Sequence, residues 1–143
     1  MRCHSKAKKV YSIDINPIPV ELMQKSTRLN RVESKIVSIE GDAKDAIVER
    51  FQSVADRVVM PLLNKAFAYL EYAVMALKPS GGWIHYYALE HASKKEDPME
   101  KAKAAVSEKL RNAAVNFTIP SGRIVRFTGP NWYQVVLDVY VSL

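Results

Sequence analysis

The pattern of apolar and polar positions along the chain predicts short strands that alternate with helices. Residues 10–15 are β-branched or aromatic and end at the dipeptide Asn16-Pro17, which indicates a strand followed by a turn. Apolar side chains then recur at helical spacing over residues 20–32. Residues 55–60 form a near-continuous apolar run, which predicts a strand buried on both faces.

The order of the predicted elements indicates the fold class. Four strands are each followed by a helix, and two further strands follow with no helix between them. The strands are predicted at residues 10–15, 35–39, 55–60, 83–89, 122–127 and 133–141, and the later helices at 43–52, 64–77 and 93–112. Alternating strands and helices indicate a parallel sheet covered by helices, and two adjacent strands indicate an antiparallel hairpin. We therefore predict one α/β domain over residues 1–143.

Composition and charge indicate which partners and which cellular location suit this domain. The formal net charge is +6, which suits a polyanionic partner, although a solvated surface with surplus lysine explains it equally well. The single cysteine, Cys3, excludes an intramolecular disulfide and fits a reducing cytosol, so we predict a cytoplasmic location. No apolar run reaches the length of a membrane span, and we expect neither a membrane nor a metal partner.

Asp14 lies near the end of the first predicted strand, and Asp42 lies just past the second. Ligands of open parallel sheets bind outside the carboxyl ends of the strands, and Asp14 and Asp42 stand there. A carboxylate at Asp14 can accept both hydroxyls of a ribose, and one at Asp42 can accept the exocyclic amine of adenine. Asp42 alone is also explained as a turn or helix-capping residue. The pair on consecutive strands favours a nucleoside site.

Two further segments have polar or constrained residues near the same edge. Met60, Pro61, Leu62 and Leu63 follow the third strand, where a proline would fix the backbone beside a ligand or begin a helix. His85 lies within the fourth strand, where it is either a functional residue or a core histidine whose hydrogen bonds are satisfied. The residues alone leave both questions open.

Five segments together resemble the archaeal and eukaryotic tRNA methyltransferases that modify the guanosine at position 37, beside the anticodon. They are VYSIDINPIPVEL (10–22), EGDA (40–43), ADRVVMPL (55–62), LKPSGGWIHYY (77–87) and GPNWYQVVLDV (129–139). The aminocarboxypropyltransferases of the wybutosine pathway share much of this pattern. The resemblance extends from about residue 8 to residue 141.

The resemblance implies a fold, a cofactor and a substrate. The fold would be an incomplete Rossmann-like class I methyltransferase sheet, mostly parallel, with a C-terminal antiparallel hairpin. The cofactor would be S-adenosylmethionine and the partner tRNA. Asp14 would bind the ribose and Asp42 the adenine, and the other residues expected at the cofactor are Asn16, Ala43 and Met60. The catalytic loop beside the target base would comprise Pro61, Leu62 and Leu63, and the methyl group would pass to N1 of guanine.

The chain departs from the family pattern in two places. The first strand of the fold and its glycine-rich loop, expected just before Arg2 and between the strands at 10–15 and 55–60, are missing. Leu63 stands where family members often have a proline. We therefore expect a fragment or split subunit with weak or no activity alone.

In such a chain the strands beside the missing first strand would have unpaired edges that another strand or chain has to fill. Expected partners are a second chain that supplies the missing N-terminal segment, or self-association with direct pairing of residues 10–15 and 55–60. The alternatives are an independent methyltransferase of reduced size, an aminocarboxypropyltransferase fragment, and a non-catalytic nucleoside- or RNA-binding module.

Overall fold

A computed structural model of the chain describes residues 8–31, 34–61 and 65–142. Strands and helices alternate in the predicted order. They are β1 (Val10–Asp14), α1 (Pro17–Leu29), β2 (Ile36–Glu40), α2 (Ala43–Arg50), β3 (Arg57–Met60), α3 (Ala66–Ala76), β4 (Gly82–His91), α4 (Pro98–Asn112), β5 (Asn116–Gly129) and β6 (Trp132–Ser142). None of the described helices is long and apolar enough to cross a membrane. The chain divides into two compact units at Arg50, and each is described by itself.

The first unit contains a parallel pair of strands with a helix after each. β1 and β2 are in register from Val10 opposite Ile36 to Asp14 opposite Glu40, so both strands end at the same edge. The Asn16 side chain caps α1 by accepting a hydrogen bond from the Ile18 N–H at 3.1 Å. This cap and the prolines of the first turn explain why α1 begins directly after β1.

The second unit contains a four-stranded sheet with the order β3-β4-β6-β5. β3 and β4 are parallel, β6 is antiparallel to both β4 and β5, and the predicted terminal hairpin is confirmed. This sheet is thus mixed, with one parallel and two antiparallel pairs, and is not mostly parallel as predicted, whereas the β1–β2 pair of the first unit is parallel. The expected direct pairing of residues 10–15 with 55–60 is also wrong, because β1 pairs with β2 in one sheet and β3 with β4 in the other.

The core of the second unit lies between the sheet and helices α3 and α4. Alternate residues of β4 point into it, and β6 contributes side chains at the same spacing. The largest fully buried side chains are Leu70, Leu77, Ile84, Val106, Leu110, Val135, Leu137, Val139 and Val141. Each such side chain contributes roughly 1.5–3 kcal/mol through burial, so this layer holds the unit together.

Several predicted elements differ from those observed, and β5 begins at Asn116 and not at residue 122. Helix α4 begins at Pro98 and not at residue 93, because Asp97 caps it by accepting a hydrogen bond from the Met99 N–H at 2.9 Å. The apolar run of β3 is not buried on both faces, since Val59 is 53% exposed. Val59 precedes the buried Met60 in the strand and therefore points to the opposite face of β3, away from the core, which explains the exposure.

Two consecutive glycines connect α3 to β4. Gly81 adopts a φ of +90°, which a side chain would strain. A Cβ atom on Gly82 would overlap the carbonyl oxygen of Asp56, which accepts a hydrogen bond from the Trp83 N–H at 3.1 Å. The start of β4 can therefore lie this close to Asp56, the residue before β3, only with glycine at position 82.

Candidate cofactor site and the polar network of the sheet

The carboxyl end of β1 is organised by two consecutive hydrogen bonds. Asp14 Oδ1 accepts from the Asn16 N–H at 2.9 Å, and Asn16 Oδ1 accepts from the Ile18 N–H at 3.1 Å. Both side chains are exposed. The turn thus holds the Asp14 carboxylate at the strand end, where solvent or a ligand can reach it.

The carboxyl end of β2 lies beside that of β1. The Gly41 N–H donates to the carbonyl oxygen of Asp14 at 2.8 Å, which extends the parallel pairing to the residue before Asp42. Asp42 Oδ1 accepts from the Lys44 N–H at 2.9 Å and caps helix α2, which begins at Ala43. The capping interpretation of Asp42 is therefore confirmed for one carboxylate oxygen.

The first unit brings the two predicted acids to one edge, on adjacent strands. Ionised carboxylates only accept hydrogen bonds, and both the ribose hydroxyls and the adenine amine donate them. Asp14 and Asp42 thus have the chemistry required for a nucleoside. Their backbone settings follow from the local sequence, since Asn16 and Gly41 allow the turns that follow each strand.

The segment after β3 belongs to the second unit. The Met60 side chain is 4% exposed and packs in the core, so it faces the hydrophobic cluster. Pro61 follows it at an exposed position. Leu62 and Leu63 lie outside the described residues, and the catalytic role of this loop stays a prediction.

His85 is the centre of a polar network that crosses all four strands of this sheet. Arg57 Nη1 lies 2.8 Å from His85 Nε2, and His85 Nδ1 lies 2.6 Å from Asp138 Oδ1. Because a guanidinium can only donate, Nε2 accepts and Nδ1 carries the hydrogen donated to Asp138. The Ser121 hydroxyl donates to the other carboxylate oxygen at 2.7 Å. Both ring nitrogens of His85 are engaged, which agrees with the interpretation of a satisfied structural histidine.

The network also affects the electrostatics of its carboxylate. The hydrogen bonds from Ser121 and then His85 hold the pKa of the Asp138 carboxyl below its ordinary value. Ser121 bonds Asp138 and not His85, so the three side chains do not have the order needed to activate the serine. The rings of Trp83 and His85 are stacked, with centroids 6.4 Å apart and an angle of 6° between their planes.

Sequence reasoning did not identify Arg57, Ser121 or Asp138 as partners of His85. One sequence feature could have indicated Asp138, because it is a charged residue within the apolar run of β6. A carboxylate in a strand with one buried face needs a partner, and the neighbouring strand supplies it.

Parallel strands followed by helices and a terminal antiparallel hairpin define a Rossmann-like α/β protein. The sequence model of the TRM5/TYW2 methyltransferase domain matches residues 1–115. The chain belongs to this family, as the resemblance predicted.

Known relatives agree with this assignment. Trm5b of Pyrococcus abyssi, a tRNA (guanine(37)-N(1))-methyltransferase, is 30% identical over 137 residues, which are 96% of this chain and 38% of that protein. Taw21 of Saccharolobus solfataricus, a tRNA 4-demethylwyosine(37)-methyltransferase, is 36% identical over 134 residues, which are 94% of this chain and 46% of that protein. The chain thus spans less than half the length of either relative.

Solved structures match the fold as well. The crystal structure of Pyrococcus abyssi Trm5b aligns with a TM-score of 0.80 at 28% identity, over 95% of this chain and 38% of that one. The structure of M. jannaschii TYW2 in complex with AdoMet aligns with a TM-score of 0.79 at 27% identity, over 98% of this chain and 60% of that one.

Proposed function

We propose that this chain contributes the nucleoside half of an S-adenosylmethionine site in an enzyme that modifies tRNA at guanosine 37. The observation that carries the proposal is the placement of Asp14 and Asp42 at the adjacent carboxyl ends of β1 and β2, joined by the Gly41–Asp14 backbone hydrogen bond. Asp14 would accept the ribose hydroxyls and Asp42 the adenine amine. Asn16 and Ala43, which begin the two following helices, would line the same edge.

The residues present fit the nucleoside part of this cofactor. Asp14 is exposed and Asp42 half-buried, so both are accessible to donors from a ligand. Gly41 adopts a φ of +152°, and a Cβ atom there would meet open space, so the backbone between the two strand ends is uncrowded. When bound, S-adenosylmethionine would supply an electrophilic methyl group or, in an aminocarboxypropyltransferase, the aminocarboxypropyl group.

The substrate end of the site would follow β3. The end of β3 is anchored by the buried Met60 side chain, and Pro61 restricts the backbone that follows. Pro61, Leu62 and Leu63 would hold the target guanine so that N1 approaches the transferred group in line. Most of the rate in such a transfer comes from positioning, and a general base removes the N1 proton.

The relatives named above support tRNA as the substrate and leave two transferred groups open. Methyl transfer to N1 of guanosine 37 is the first candidate, since Trm5b is named for it. Aminocarboxypropyl transfer is the second, since a Methanocaldococcus jannaschii aminocarboxypropyltransferase is 29% identical over 138 residues. A cytoplasmic location follows for either reaction.

Additional polypeptide would complete the site. Among the described residues, β1 has β2 as its single strand partner and β3 has β4, so each strand has one open edge. Open strand edges favour pairing with a further strand. We propose that a further segment or a second chain supplies that strand and the glycine-rich loop for the methionine end of the cofactor. Self-association is the alternative.

Binding of adenosine tests the nucleoside site directly. Titration calorimetry up to millimolar ligand should detect adenosine and S-adenosylmethionine, and Asp14→Asn should abolish both signals. Glu49→Gln removes one charge from an exposed position of α2 and is the matched control. Equal heats for Asp14→Asn and Glu49→Gln, or no adenosine binding by the unmodified chain, would overturn the proposal. Adenosine binding without any transfer to tRNA would favour a non-catalytic nucleoside-binding module.

A further inference from the structure

The β5–β6 hairpin has a role that the proposed cofactor site does not use. The segment Gly129-Pro130-Asn131-Trp132-Tyr133 forms its turn and the start of β6. The Ala92 N–H donates to the Asn131 carbonyl oxygen at 2.9 Å, which ties the turn to the residue after β4. The hairpin tip is therefore held at the carboxyl end of β4, the edge where ligands of such sheets bind.

One face of this tip combines rings with a positioned cation. Trp132 lies opposite His91 across β4 and β6, with ring centroids 4.9 Å apart at 67°, and it is 45% exposed. Gln134 lies two residues further on the same face, and its Oε1 accepts from Arg126 Nε at 2.8 Å. We name these four residues (His91, Arg126, Trp132 and Gln134) the hairpin patch.

The surroundings of the patch are basic. Phe127 is 72% exposed, but it contacts Tyr133, which lies on the opposite face of β6 from Trp132 and Gln134. Arg123 on β5 and the loop residues Lys94 and Lys95 add exposed positive charge. Exposed rings next to arginine and lysine are typical of surfaces that bind single-stranded nucleic acid, because rings stack on bases and cations meet phosphates.

We infer that the hairpin patch binds an unpaired base of an RNA strand, with the base stacked on Trp132 and the neighbouring phosphates near Arg126 and Arg123. The inference rests on the proposed function for its choice of RNA. The mixture of ring, amide and cation argues against an apolar protein partner, whose interface core would be poor in charge. Stacking accepts any base, so the patch would orient the strand and leave base selection to other parts of the enzyme.

The intrinsic fluorescence of the chain offers a direct test. The chain has two tryptophans, and Trp83→Phe leaves Trp132 as the single reporter. In that variant a single-stranded octaribonucleotide should quench the emission, and a duplex of the same sequence should quench it much less. Adenosine monophosphate at the same nucleotide concentration should have little effect.

Two substitutions separate stacking from charge. Trp132→Ala should weaken binding of the single strand about tenfold, and Trp132→Phe should restore most of the affinity. Trp132→Ala should leave the dependence of affinity on salt unchanged, whereas Arg126→Gln should reduce the slope by about one phosphate contact. Arg28→Gln, an exposed arginine of α1, is the charge-matched control.

The possible outcomes are distinct from those of the cofactor experiment. Absence of quenching at low salt, equal quenching by the duplex, or unchanged affinity of Trp132→Ala would overturn the inference. Quenching by adenosine monophosphate as strong as that by the octaribonucleotide would assign the patch to mononucleotides and overturn it too. Asp14→Asn should leave RNA binding intact and Trp132→Ala should leave adenosine binding intact, so either proposal can fail alone.

Discussion

His85 Nδ1 lies 2.6 Å from Asp138 Oδ1 and joins the middle of β4 to β6. The carboxylate receives a second hydrogen bond from Ser121 of β5, so this one side chain connects three strands. The hydrogen bonds of Asp138 lie on a half-exposed face of the sheet, and they link the strands on the side opposite the apolar core.

Replacing Asp138 should destabilise the second unit in a pH-dependent way. Asp138→Asn should lower the free energy of unfolding by about 1–2 kcal/mol at pH 7, because it removes hydrogen bonds to a charged group. The pKa of Asp138 is lowered in the folded protein, so its contribution is present above the unfolded pKa and is lost as the pH falls through the folded pKa. Urea unfolding should therefore show the difference shrinking below about pH 4.

Asp56→Asn is the control for this experiment. Asp56 forms an exposed ion pair with Lys78 at 3.0 Å, and such pairs contribute less than about 1 kcal/mol. A difference for Asp138→Asn that stays constant between pH 7 and pH 3 would contradict the assigned role of its charge.

Tyr86 should make the protein sensitive to alkali. Burial, and secondarily Glu90, raises the pKa of Tyr86 to about 12. The unfolded pKa is about 10, so the stabilisation is complete below that value and is lost as the pH rises towards 12, up to roughly 2–3 kcal/mol. Tyr86→Phe should lose less stability than the unmodified chain between about pH 9 and pH 11 in urea unfolding. Identical curves for Tyr86→Phe and the unmodified chain would refute the prediction.

Gly82→Ala should disrupt the start of β4. The added Cβ atom would overlap the Asp56 carbonyl oxygen, so the strand must shift and lose about 1–3 kcal/mol, measurable by thermal unfolding. Gly129→Ala is the control, because the nearest atom to its Cβ would be a Trp132 side-chain carbon at 4.0 Å. A Gly82→Ala protein as stable as Gly129→Ala would mean that the backbone approach at Asp56 is not tight.

Asp42 should have two separable roles. Asp42→Ala should weaken helix α2 by about 0.5–2 kcal/mol because the cap on the Lys44 N–H is lost. Asp42→Ser keeps a capping oxygen but removes the carboxylate, so it should recover most of the stability while adenosine binding stays absent. Urea unfolding followed by circular dichroism measures the first effect and calorimetry the second. Recovery of adenosine binding in Asp42→Ser would show that the carboxylate is not needed.

Local sequence determined most elements and one edge of the candidate site. Asn16 with its two following prolines specifies the start of α1, and the turn at residues 128–131 specifies a hairpin, because caps and turns depend on a few neighbouring residues. The position of Asp14 and Asp42 at one edge also followed from the sequence, since parallel strands in βαβ order end on the same side.

Tertiary structure alone decided which distant side chains meet. His85 and Asp138 are 53 residues apart, and only the register of β4 against β6 makes them partners. The parallel pairing of β3 with β4 likewise places Val59 opposite His85 outside the core, and Met60, its neighbour, opposite Tyr86 within it. Hydrophobic periodicity indicates which residues can be buried. It does not indicate which strands are neighbours, because that depends on chain segments far apart in the sequence. For this reason the polar network around His85 could not be predicted from the sequence.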